Sequence, residues 1–195
     1  MKRIILSLFA LVVCFTLYSQ EHLKFKGIEM NGSVTYFCDQ LKEQIPDLKG
    51  KIVEDHGMYT GSFAGVSGCS IIVYPNPLGD VRLVVVVFPE VTTWATLKSN
   101  YNELNATLQK KYGKASGYAR KFETPYEDGD GYELSALSLG KVSFGDVYTV
   151  DKGEIMILMN KGSNHNSGSV MVSYTDEINN NVETSKKQQA AYDDL

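Results

Sequence analysis

The chain has 195 residues, 43% of them hydrophobic, with 19 Lys and Arg against 23 Asp and Glu, a formal net charge of −4, and three Cys. A mildly acidic balance with basic pairs as sparse as Lys110-Lys111 and Lys186-Lys187 excludes a phosphate-tracking surface, so no nucleic-acid partner is expected. The length suffices for one hydrophobic core and falls short of two ordinary domains.

Residues 1–20 begin with Lys2 and Arg3, run largely apolar from Ile4 to Leu17, and pass through Tyr18-Ser19-Gln20 to the first acid, Glu21. A cationic start followed by an apolar run short of the ~20 residues of a comfortable transmembrane span reads as a secretory signal peptide over 1–19. Leu11-Val12-Val13-Cys14 superficially resembles a lipobox. There, however, a small residue should precede the Cys, and here Val13 precedes it and the apolar run continues, so cleavage near Ser19 is expected and no stable membrane anchor. The expected destination is the periplasm or the medium. Losing Lys2 and Arg3 from 19 cations, against an unchanged 23 acids, moves the net charge from −4 to −6. Cys38 and Cys69 then remain, and either a bridge between them or packing in the core is compatible with an oxidising compartment.

His22 to Ile28 alternates Leu23 and Phe25 with polar residues, a short extended lead-in. Asn31-Gly32 turns the chain, and Ser33 is placed to cap a helix over Val34–Gln44 whose apolar stripe is Val34, Phe37, Cys38 and Leu41, with Pro46 close behind. From Lys51 to Phe88 the pattern changes to strands: Met58–Ala64, a turn over Gly65-Val66-Ser67-Gly68, Cys69–Tyr74, a breaker over Pro75–Gly79, and Val81–Phe88. This is an antiparallel meander. Thr92 or Thr93 caps a second helix, in which Trp94, Leu97, Tyr101, Leu104, Leu108 and Tyr112 follow steps of three and four, ending at Gly113.

Strand patterns return at Tyr118–Phe122, Tyr132–Leu139, Phe144–Val150, Glu154–Met159 and Val170–Tyr174, with a turn at Asp151-Lys152-Gly153. The order helix, strands, helix, strands suggests two copies of one layout. The expected organisation is a signal peptide over 1–19, a single α+β domain over 20–176, and a polar tail over 177–195 with a short helix. The fold class is α+β: two helix-plus-antiparallel-meander units, with the helices packed on one face of a mainly antiparallel sheet.

Several segments together carry a resemblance: His22-Leu23-Lys24-Phe25-Lys26-Gly27-Ile28 with the turn and helix after it, the Val84–Pro89 strand leading into a Trp-bearing helix, and Lys111-Tyr112-Gly113-Lys114. Over nearly the whole mature chain they resemble a family of small exported α+β proteins of unknown function from Gram-negative anaerobes. That resemblance implies export and this fold, and no catalytic residue. In layout alone the repeated helix-plus-meander is similar to β-lactamase inhibitor proteins, an analogy of architecture.

No catalytic, cofactor-binding or metal site is assigned. His22, His56 and His165 each lack a second His within a dozen residues, so zinc spacing is missing and solvated loop histidines are expected. Asp55-His56 is the right pair to orient an imidazole, yet neighbours along a strand point to opposite faces and rarely pair. Cys38 lies on an apolar stripe, where a thiol is inert. Glu127-Asp128-Gly129-Asp130-Gly131-Tyr132-Glu133 matches part of a calcium loop but lacks its remaining oxygen ligands, and Asp-Gly repeats serve a hairpin equally well. Asn31-Gly32-Ser33 and Asn105-Ala106-Thr107 match the glycosylation pattern by chance.

One pattern has functional content. Val81-Arg82-Leu83-Val84-Val85-Val86-Val87-Phe88 and Ile155-Met156-Ile157-Leu158-Met159 are apolar on both strand faces, whereas a sheet with helices on one side and water on the other should alternate. The second face needs a cover: the C-terminal segment, sheet curling, a second copy of the chain, or a bound partner. Two functional classes follow. The first is an exported, non-enzymatic binding or inhibitor-like module holding a protein, peptide or glycan. The second is a periplasmic or secreted hydrolase with a dispersed active site, uniting His56 or His165 with carboxylates from Glu127 to Asp130.

Overall fold

A computed structural model describes residues 21–193; the signal-peptide reading and Cys14 lie outside the described residues. The chain opens with a two-stranded hairpin, β1 (Lys24–Phe25) and β2 (Ile28–Glu29), and enters α1 (Val34–Gln44) with Ser33 as its cap, the Ser33 hydroxyl accepting from Tyr36 N–H at 3.3 Å. Then come β3 (Lys49–Val53), β4 (His56–Phe63), β5 (Val66–Pro75) and β6 (Val81–Val87). Thr93 caps α2 (Trp94–Tyr112), and Gly113 follows its last turn. The second half supplies β7 (Gly117–Phe122), α3 (Glu133–Ser138), β8 (Val142–Val150), β9 (Gly153–Lys161), β10 (Gly168–Asp176) and α4 (Glu177–Asp193).

The fold is α+β, with one antiparallel sheet of eight strands in the order β3-β4-β5-β6-β10-β9-β8-β7 and helices packed against it. That order reads the same from either end: each half is a four-strand meander preceded by a helix, and the last strands of the two meanders, β6 and β10, pair with Val84 opposite Tyr174 and Val86 opposite Val172. α1 contacts β4 and β5, and α2 contacts β8, β9 and β10. Each helix is seated over a glycine. A Cβ at Gly57 would stand 2.7 Å from Cys38 Sγ of α1, and one at Gly168 would stand 2.7 Å from Leu97 Cδ2 of α2. These two missing side chains let the helices approach the sheet.

The buried face of the sheet carries Tyr59, Ile71, Val73, Val84, Val86, Ile155, Ile157, Val172 and Tyr174, which join the helix stripes in one core. Phe25 of the N-terminal hairpin links the halves there, stacked on Phe63 at 5.5 Å and edge-on to Tyr174 at 5.1 Å. Under α2 a second aromatic group forms from Trp94, Tyr101, Phe122 and Phe144.

Four expectations are corrected. Tyr132–Leu139 is not a strand; its core is the helix α3. Ala136 and Leu137 are adjacent and both buried, which a strand would send to opposite faces and a helix places on one side, with Glu133 a turn earlier. The turn after β4 is the two-residue Ala64-Gly65, with φ of 50° and 84°, so Val66-Ser67-Gly68 begin β5. Positive φ at both positions matches the twist of a tight hairpin. β3, thin in apolar residues, forms the sheet edge ahead of the strands expected from sequence. Finally, the helix of the polar tail is not short: α4 follows β10 directly and runs from Glu177 to Asp193, and Asp176 Oδ1 accepts Asn179 N–H at 2.9 Å as its cap.

His22 is the fourth departure's companion, since it is buried at 9% exposure instead of solvated. Its Nδ1 lies 3.1 Å from Asp176 Oδ1, while Asp176 Oδ2 accepts Leu23 N–H at 2.8 Å. Asn179 then donates to the carbonyls of Met30 and Val81, each at 2.9 Å. Asp176 is fully buried and joins the N-terminal segment, β6 and α4 in one polar clasp. Removing its carboxylate orphans three donors at once, so Asp176→Ala should lower the unfolding free energy by about 2–4 kcal/mol. Urea denaturation measures this, and a loss below about 1 kcal/mol would contradict the clasp.

Candidate functional site: an uncovered sheet face

The register of the sheet defines what its second face presents. One cross-strand row runs from Lys51 of β3 through Met58, Ile72, Val85, Ser173 and Met156 to Val147 of β8. The adjacent row runs from Lys49 through Thr60, Ser70, Val87, Met171 and Leu158 to Gly145 and Ala119. Ile72, Val85, Val87, Met156, Leu158, Met171 and Val147 are half-buried, shielded by their neighbours in the sheet, and Met58 is 49% exposed. None of these eight belongs to the core that the helices cover.

α4 is not their lid. Its first turns meet the ends of β6, β9 and β10, Glu183 approaches Arg82 at 3.8 Å, and every residue from Thr184 to Asp193 is exposed. Arg82 is the extra residue of a bulge, as Leu83 pairs with Tyr74 and Val81 with Pro75. Toward the β7 side a shallow depression of about 450 Å³ adjoins Gly145, Val147, Met156 and Leu158. A second concavity, about 480 Å³, opens on the helix side between α2 and the tip of the β4–β5 hairpin. Phe88 and Leu104 form its floor, and Val66, Val91 and Glu103 stand around it.

The residues of the dispersed-hydrolase reading are not brought together in the hydrogen-bonding network. His56 pairs with its own neighbour Asp55, against the sequence expectation, because Glu54 at φ 56° and Asp55 form the turn before β4 and free the carboxylate to fold back. The imidazole also meets Tyr74 edge-on at 4.9 Å. The acidic segment is occupied internally. Asp128 accepts from Trp94 Nε1 at 2.9 Å and from Lys98 at 2.5 Å, Asp130 accepts the Glu127 and Tyr132 N–H groups, and Glu133 accepts Gly129 N–H. Among the described residues no three His, Cys, Asp or Glu side chains converge as a metal site.

Two polar arrangements escape sequence reasoning. His165 Nδ1 lies 2.7 Å from Ser138 Oγ, a contact of the kind that activates a nucleophile, which further needs a group orienting the imidazole. Glu90, the carboxylate bound to the same loop, is taken up by Ser167 Oγ at 2.7 Å and by Ser163 through Oγ and N–H. These bonds hold its carboxyl below the ordinary glutamate range. The other arrangement centres on the buried carboxylate of Asp146, which accepts from Tyr101 OH and from the more exposed Arg120, both at 2.5 Å, with the Arg120 guanidinium 4.3 Å from the Phe144 ring centroid. It ties the edge strand β7 to α2. The signals are too dispersed to read, since the partners are 45 and 26 residues apart.

Cys38 and Cys69 are both free and buried, and burial pushes both thiols up. Of the two alternatives open in the sequence, core packing is therefore the one the structure adopts. The chain matches no family model, no curated protein and no solved structure at a significant level.

Two measurements follow. In a folded chain spanning residues 21–195 both thiols should react with a thiol reagent far more slowly than in denaturant, where two groups become available without reductant; a denatured chain that needs reductant first would contradict the free state. Asp128, held below the ordinary aspartate range by Lys98 and then Trp94, should keep its contacts above that range and lose them as pH falls through its lowered value. Trp94 is the sole tryptophan, so its fluorescence should report an acid transition below the ordinary aspartate range, shifted or abolished in Asp128→Ala. A Trp94 signal insensitive to that substitution would refute the assignment.

Proposed function

We propose that this protein is an exported, non-enzymatic binding module whose working surface is the second face of the eight-stranded sheet. The observation that carries this reading is the row Met58, Ile72, Val85, Met156 and Val147, interrupted by Ser173 alone and covered by no helix among the described residues. Contiguous apolar side chains on a sheet face outside the core mark a surface that meets another molecule. Three methionines, Met58, Met156 and Met171, stand on it, and unbranched thioether side chains adapt to more than one apolar surface. Export rests on the cationic and apolar residues 1–19. The hydrolase alternative has the Ser138–His165 contact as its support and takes second place.

The face should bind an uncharged solvatochromic dye such as Nile red in the native state, at protein concentrations where it is monomeric. The double variant Val85→Lys/Met171→Lys should reduce that signal at least about fivefold while retaining a cooperative melt, because lysine replaces apolar contact area with a hydrated charge. Absence of dye binding, or binding indifferent to the double variant, would refute the proposal.

A further inference from the structure

The charges on the uncovered face are unlike those of the chain as a whole. Lys49 and Lys51 of β3 stand opposite Thr60 and Met58, and Lys121 of β7 stands opposite Ser143, so all three project to this face from its two edges. All three are exposed, and none takes part in an ion pair among the described residues; the acids nearest in charge, Asp47 to Lys49 and Glu123 to Lys121, are bonded instead to Ser62 and Lys141. Arg82, by contrast, is matched by Glu183. Against the three lysines, the same strand positions carry one carboxylate, Glu154, on a protein whose net charge is −4.

Resting on the binding-module reading, we infer that the partner is a protein whose apolar contact surface is bordered by carboxylates. Its apolar centre lies on the Met58, Val85 and Met156 row, and its acids reach Lys49 and Lys51 on one side and Lys121 on the other. Seven strand spacings separate the two lysine-bearing edges, about 33 Å, so the partner must present acids on both sides of a broad apolar surface. Charged edges discourage the alternative of an added strand, since lysines on an edge block sheet extension. A second copy of the chain laid face to face brings lysine edges onto lysine edges whichever way round the strands align. An anionic membrane would satisfy the lysines and the apolar band, yet it repels the acidic remainder of the molecule.

The test uses a labelled synthetic peptide of about ten alternating Leu and Ser residues, long enough to span the sheet at ~3.3 Å per residue, with Glu triplets at both ends. Its counterpart carries Lys triplets. By fluorescence anisotropy at low salt the Glu-flanked peptide should bind about tenfold or more tighter than the Lys-flanked one, and the gap should close at about 0.5 M salt. It should also close in Lys49→Glu/Lys51→Glu/Lys121→Glu, whose melting temperature checks that the fold is intact. Equal binding of both peptides, lost in Val85→Lys/Met171→Lys, would overturn the acidic-partner inference and leave the binding module standing. Binding of neither peptide would overturn both. Phosphatidylglycerol vesicles bound as tightly as the Glu-flanked peptide, or self-association abolished by the same double variant, would overturn the inference in favour of a membrane or a second copy.

Discussion

The pairing of β6 with β10 is the constraint from which the rest of this structure follows. It places the last strand of each meander at the centre of one sheet, so the most apolar segment of the first half lies beside the most protected strand of the second. A central strand has neighbours on both sides and no exposed edge, and Val84 and Val86 on the helix side are completely buried. The same pairing brings Val85 and Val87 onto the opposite face, beside Ser173 and Met171. Antiparallel geometry thus produces the covered core and the uncovered row in one step.

Everything near the centre then has to close the helix side. α1 and α2 each descend onto a glycine of their own half, and Phe25 fills the space between halves by packing on Phe63 and Tyr174. The segment before β1 and the start of α4 are held by Asp176, whose carboxylate meets His22, Leu23 and Asn179. That carboxylate both caps α4 and anchors the N-terminal segment, so the helix starts at the strand's end and runs outward. A tail directed that way leaves the second face without a lid among the described residues.

For function, the polar clusters and the apolar face differ in kind. Asp146, Asp176, Glu90 and Asp128 all have their donors supplied by the chain itself, which makes them parts of the scaffold. Among the described residues no helix packs on the methionine and valine rows, and the lysines beside them form no ion pair. Apolar rows and lysines outside any described ion pair lie on the same face, and their coincidence supports binding as its proposed role.

Much of this was legible locally. Val34–Gln44 and Trp94–Tyr112 follow from caps and three-to-four spacing, because a helix satisfies its backbone within itself and its buried stripe repeats in sequence. The doubly apolar strands also pointed correctly to a face in need of explanation. Tyr132–Leu139 carries a strand-like alternation in Leu134 and Ala136, and only the packing of α3 against β8, β9 and β10 distinguishes helix from strand there. The burial of His22 leaves no trace in sequence, because its partner lies 154 residues away, a distance no local pattern can bridge. By itself, then, the sequence determined the elements, the acidic charge and the existence of two apolar faces, all of which depend on neighbours along the chain. Tertiary structure decided which face the helices cover, that the cysteines stay apart, and that three lysines border the open rows, because strand order and register are set by long-range pairing.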